Sequence, residues 1–73
     1  MPPLPVISGQ VAIKAFQKAG WQVVRRKGSH IALIKPDERS TLSIPDHKEL
    51  DCGTLRSLIR KAGITVEDFI GYL

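Results

Sequence analysis

Residues 21–44 read WQVVRRKGSHIALIKPDERSTLSI, and the way this stretch divides decides the fold. Two turn signals cut it into three pieces. From Trp21 to Lys27 the content of β-branched and aromatic residues rises, and after Gly28 the run His30 to Lys35 is rich in Ile and Leu, so both read as strands. A tight turn at Lys27 and Gly28 joins them, since glycine adopts the positive φ that such turns require. Pro36, Asp37 and Glu38 form the second signal, with proline suited to the first central position of a turn. Ser40 to Ile44 then alternates polar with apolar, as a half-buried strand does, and Pro45 stops it.

The alternation also sets the faces. With Leu42 and Ile44 toward a core, Thr41 and Ser43 point outward. In the second strand Ile31 and Leu33 are the more apolar set and belong inside, which places His30, Ala32 and Ile34 on the opposite, exposed face. Ala32 and Ile34 are apolar as well, so the opposite parity, with His30 half-buried, stays open at this level.

Helices flank the strands. Ser8 is a candidate N-cap for a helix in which Val11, Ala12, Ile13, Ala15, Phe16 and Ala19 fill one arc, while Gln10, Lys14, Gln17 and Lys18 share the other. Gly20 follows, where a left-handed cap belongs. Beyond the strands, Asp51 is a plausible cap for a second helix carrying Leu55, Leu58, Ile59 and Ala62 on one face, with Arg56 and Arg60 stacked on an exposed side and Gly63 ending it. Thr65 caps a short third helix, with Asp68 completing a variant of the capping box and Phe69, Ile70 and Leu73 returning to the core. Three of the five prolines lie in residues 1–5, so residues 1–6 read as an extended tail that docks through Leu4 and Val6 or stays loose.

The expected fold is therefore α+β, in the order α-β-β-β-α. A three-stranded antiparallel sheet is solvated on one face and covered on the other by both main helices, an architecture of the double-stranded-RNA-binding-domain type. The 73 residues leave room for one domain only. A chain this short buries about 60 % of the surface its unfolded form exposes.

Composition narrows the function classes. An apolar fraction of 42 % with 25 % charged residues is ordinary for a folded soluble chain, and no apolar run reaches the roughly 18 residues that span a bilayer. The start, MPPLPVISGQ, lacks a basic n-region and a continuous h-region, so a cytoplasmic location is expected. Cys52 stands alone, which excludes an internal disulfide and a cysteine-based zinc cluster, and it reads as an inert thiol.

Charge is unevenly placed. Residues 1–36 carry six cations (Lys14, Lys18, Arg25, Arg26, Lys27 and Lys35) and no acid, whereas residues 37–73 carry five cations and seven acids. With a pI near 9.7, this cationic half favours a polyanionic partner such as RNA or DNA. A merely solubilising surface is the bland alternative.

Within RRKGSH the parts of a phosphodiester site lie together. Gly28 lets a phosphate approach, the Ser29 hydroxyl can donate to a phosphate oxygen, Arg25, Arg26 and Lys27 hold a polyanion, and the His30 imidazole moves protons near neutral pH. A strand histidine that only hydrogen-bonds its surroundings is the competing reading. His47 in IPDHKEL has Asp46, Glu49 and Asp51 nearby, yet no compact metal-ligand spacing links it to His30, so no metal site is expected. It reads as a loop residue supporting the helix cap, or else as one lying beside the substrate. Arg56 and Arg60 form either a solvated helix face or a contact to RNA phosphates or an acidic partner.

LPVISGQ before an amphipathic helix ending in AGW, then RRKGSH, a strand ending in IP with a histidine two residues on, and GTLRSLIRKAGITVEDF together resemble the HicA-type (YcfA-like) mRNA interferase toxins, from about Leu4 to Phe69. The resemblance implies a double-stranded-RNA-binding-like fold, cleavage of mRNA without a metal or other cofactor, translational arrest, and neutralisation by a HicB-type antitoxin covering the site. It puts the catalytic histidine at His30, with Gly28 and Ser29 shaping the approach. His30 is then expected to act as the general base on a ribose 2′-hydroxyl, and position and charge make Lys27 and Arg26 the candidates for neutralising the phosphate. A non-catalytic RNA-binding module of the same fold is the runner-up. An inactive relative that binds only an acidic protein is a third reading.

Overall fold

The computed structural model describes residues 3–73. The element order is α1 (Gly9–Lys18), β1 (Gln22–Lys27), β2 (His30–Ile34), β3 (Leu42–Pro45), α2 (Cys52–Ala62) and α3 (Val66–Gly71). The strands form an antiparallel sheet in the order β1-β2-β3, as the two turn signals require.

Local chemistry explains each boundary. The Ser8 hydroxyl accepts from the Val11 N–H at 3.1 Å and starts α1. Gly20 takes φ 106 just beyond the Ala19 cap and releases the chain into Trp21. Asp51 accepts from the Thr54 N–H at 3.1 Å and from its hydroxyl at 2.7 Å, and Gly63 closes α2 in the left-handed region at φ 76. Thr65 and Asp68 form a reciprocal capping box on α3. Both turns form, the second as read and the first shifted by one residue. The Glu38 N–H donates to the Lys35 carbonyl around Pro36 and Asp37, the latter at φ 70. Gly28, at φ 58, and Ser29 are the two central residues between Lys27 and its cross-strand partner His30, one position later than the expected turn at Lys27 and Gly28.

The core lies between one sheet face and the helices. Ile31, Leu33, Leu42 and Ile44 are buried from the sheet, facing Ala12, Ile13, Ala15 and Phe16 of α1 and Leu55, Leu58, Ile59 and Ala62 of α2. Phe69 of α3 is fully buried and its ring lies 5.0 Å from that of Phe16, tilted by 48°. The inward set of β2 is the predicted one, so His30 stands on the exposed face.

Four apolar residues depart from the expected core, among them Ile70, which is half-buried and lies outside the core cluster. Val11 is 42 % exposed, because the apolar arc of α1 is wider than the strip the sheet can cover. Leu73 is 44 % exposed, since the chain has already left α3 at Tyr72. In the tail, Leu4 and Ile7 pack against the core while Val6 is 72 % exposed, and the part of the tail reading that concerns Met1 and Pro2 falls outside the described residues.

Candidate functional site

The site is built from two cross-strand rows on the open face of the sheet. Register pairs Lys27 with His30 and His30 with Pro45, and in the next row Arg25 with Ala32 and Ala32 with Ser43. Residues paired across strands project to the same side, with β-carbons about 5 Å apart, and successive rows on one face lie about 7 Å apart. Arg25, Lys27, His30, Ala32 and Ser43 line a shallow groove of about 340 Å³. The helices cover the other face, so a long polymer can lie across this one.

A bulge in β1 decides which cations reach the groove. Val23 pairs with Leu33, but the next pair is Arg25 with Ala32, leaving Val24 as an extra residue. The insertion reverses the facing of everything after it. Without it Arg26 would share the His30 face; with it Arg25 and Lys27 do, and Arg26 turns to the helix side in the row of Ile31. There it lines a second groove with Gln10 and Lys14 of α1.

Arg26 is also engaged. Its Nη2 lies 2.7 Å from Asp46 Oδ2, and Gln10 Nε2 donates to Asp46 Oδ1 at 3.0 Å. These two hydrogen bonds, that from Gln10 above all, hold the Asp46 carboxyl below the usual carboxylate range, and the Arg26 charge adds to the effect. The structure therefore does not bring Arg26 to His30. Its side chain lies on the helix side, paired with Asp46, and position along the chain alone did not reveal this.

Gly28 and Ser29 sit at the tip, directly beside the Lys27–His30 row. A β-carbon at Gly28 would meet nothing within 4 Å, so the glycine is needed for its positive φ rather than for space. Arg56 and Arg60 are not part of this cluster. They line a groove of about 230 Å³ with Ile59, Ile64 and Val66 in the helix layer, and the Arg56 Nε donates to Cys52 Sγ at 3.4 Å. His47 is exposed in the loop after β3, where its carbonyl accepts the Gly9 N–H at 2.9 Å, and it does not line the groove of His30.

Ser43 is the groove residue that motif reading passed over. The signal was present, since the alternation of β3 turns Ser43 outward; only the register shows that it stands in the row of Arg25. Among the described residues, no group of three or more His, Cys, Asp or Glu side chains is placed to hold a metal ion, and no helix is long and apolar enough to cross a membrane.

Comparison with known proteins gives this geometry a family. No curated protein matches the chain. A solved structure described as a toxin-antitoxin complex from Streptococcus pneumoniae contains a chain that superimposes with a TM-score of 0.71 at 34 % identity, covering 80 % of this chain and 98 % of that one. The family described as the HicA toxin of bacterial toxin-antitoxin matches residues 9–64, from the start of α1 through the end of α2, including the whole sheet. The chain, with its exposed histidine beside a basic hairpin on the open face of an α-β-β-β-α sandwich, belongs to the HicA toxin family.

Proposed function

We propose that this toxin is a metal-independent endoribonuclease that cuts mRNA and thereby arrests translation. The observation that carries the reading is the cross-strand pairing of Lys27 with His30 on an exposed face, with Arg25 in the same groove. A single RNA strand laid along the groove meets two cations about 7 Å apart, close to the spacing of successive phosphates.

The imidazole of His30 takes the proton from a ribose 2′-hydroxyl. The freed oxygen attacks the adjacent phosphorus, and the bond to the 5′-oxygen of the next nucleotide breaks. The Lys27 ammonium, next to the imidazole, balances the charge that develops on the phosphoryl oxygens, and Arg25 holds the neighbouring phosphate. The departing 5′-oxygen takes a proton from solvent, which reaches it freely on this open face. The products are a 2′,3′-cyclic phosphate and a 5′-hydroxyl. Each step uses the chain's own groups and water.

The same face is where we place a HicB-type antitoxin. A protein that covers the groove excludes RNA and inhibits the toxin sterically, and the family's pairing with an antitoxin supports such a partner. The reaction belongs to the cytoplasm, where mRNA is translated.

Incubation of wild-type protein and His30→Ala with single-stranded RNA in excess EDTA tests the reading. Cleavage by the wild type alone, with cyclic phosphate ends, is the expected result. Binding of RNA by both proteins without cleavage by either favours a non-catalytic RNA-binding module instead.

A further inference from the structure

Asp46 holds the end of the sheet that carries His30. It lies opposite Ser29, one step beyond the His30–Pro45 pair, and its N–H donates to the Ser29 carbonyl at 2.6 Å. Its carboxylate accepts from Arg26 on β1 at 2.7 Å and from Gln10 on α1 at 3.0 Å. In a sheet ordered β1-β2-β3, the bond to Arg26 ties the two edge strands together behind the central strand. The bond to Gln10 ties the same point to the helix layer.

The surroundings are close-fitting. A β-carbon at Gly9 would overlap the Pro45 carbonyl oxygen, and the Gly9 N–H donates to the His47 carbonyl at 2.9 Å. The start of α1 therefore rests directly on the Pro45–His47 segment. The row Lys27–His30–Pro45 is the last one of the sheet, and last rows fray unless something holds them.

We propose that Asp46 is the positioning residue of the His30 site, its carboxylate fixing the hairpin end so that His30 and Lys27 hold their mutual placement. The inference rests on the ribonuclease reading for its kinetic consequence but not for its structural one. An Arg26 and Asp46 pair exposed by 58 % and 22 % of their side chains contributes little to global stability. The fold should therefore survive its removal while the local placement does not.

The test compares full-length wild type, Asp46→Ala and Asp46→Asn in steady-state cleavage of a single-stranded RNA, together with amide hydrogen exchange at Ser29, His30 and Asp46. Emission from the buried Trp21 checks the fold. For Asp46→Ala, kcat is expected to fall roughly ten- to a hundred-fold, the scale of a misplaced catalytic group. KM should stay level, because Arg25 in the adjoining row still holds the strand, and exchange at the Asp46 amide should quicken. Asp46→Asn, which keeps an acceptor oxygen, should recover part of kcat.

A changed KM with kcat held within about twofold would mean that Asp46 only masks the Arg26 charge, and would overturn the proposal. Unchanged exchange in Asp46→Ala would overturn it as well, whether or not RNA is cut. A wild type that does not cleave RNA sinks the ribonuclease reading, and quickened exchange confined to the hairpin end would then still support the clamp.

Discussion

Lys27 and His30 face each other across the β1–β2 hairpin, next to a turn whose glycine takes φ 58. The pairing puts an ammonium group beside an exposed imidazole, and Arg25 follows in the next row of the same groove. It depends on a bulge at Val24, without which Arg26 would occupy this face and Lys27 would be turned toward α1.

Because His30 is exposed, its removal should cost activity and little else. His30→Ala is expected to abolish RNA cleavage while changing stability by within about 0.5 kcal/mol, the range of surface substitutions. Fragment analysis and urea unfolding, run on the same preparation, check both halves. A folded His30→Ala variant that still cuts RNA would remove the imidazole from the mechanism.

Cations should differ in effect according to the face they occupy. Arg25→Ala and Lys27→Ala are each expected to weaken RNA binding and to reduce the slope of log K against log salt by about 0.7, the loss of one phosphate contact to a single strand. Arg56→Ala and Arg60→Ala, in the helix layer, should leave that slope unchanged. Titrations at several salt concentrations distinguish the two groups, and an equal effect from both would mean that RNA wraps around the helix side.

Phe16 and Phe69 form the aromatic centre of the core, each fully buried, with ring centroids 5.0 Å apart. Phe69→Ala is expected to cost about 3–5 kcal/mol, the usual loss for a buried phenylalanine. In a domain this small that is a large part of the total stability. Circular dichroism at 37 °C should find the variant largely unfolded, and a cooperative native transition would show that α3 is dispensable to the core.

Acid should loosen the fold through two carboxylates. Hydrogen bonds from Gln10 and Arg26 lower the pKa of Asp46, and the Thr54 hydroxyl and N–H lower that of Asp51. A depressed folded-state pKa stabilises the protein above the ordinary value of 3.8, and this stabilisation is lost as the pH falls below 3.8 through the lowered values. The melting temperature should therefore drop on acidification in that window, and Asp46→Asn should flatten the drop. A variant that follows the wild-type curve throughout would show that Asp46 contributes nothing to acid sensitivity.

Much of this molecule is written locally. Ser8, Asp51 and Thr65 cap the helices that follow them, Gly28 and Pro36 turn the chain where strands must reverse, and the alternation of Leu42 and Ile44 sets the buried face. These features rest on contacts between residues a few positions apart, so the sequence by itself determined the element order and the α-β-β-β-α sandwich. The exposure of His30, left open against the opposite parity, was decided by the packing of Ile31 and Leu33 into the core. The membership of the site was decided by tertiary structure. Arg25, Arg26 and Lys27 are consecutive and equally charged, and only the register of β1 against β2 separates the two that join His30 from the one that turns to Asp46. Asp46 lies 20 residues from Arg26 and 36 from Gln10, and no local rule predicts that loop closure brings the three together. A bulge and a long-range clamp arise from how whole strands and helices pack, because their energies depend on partners that a short window of sequence does not contain.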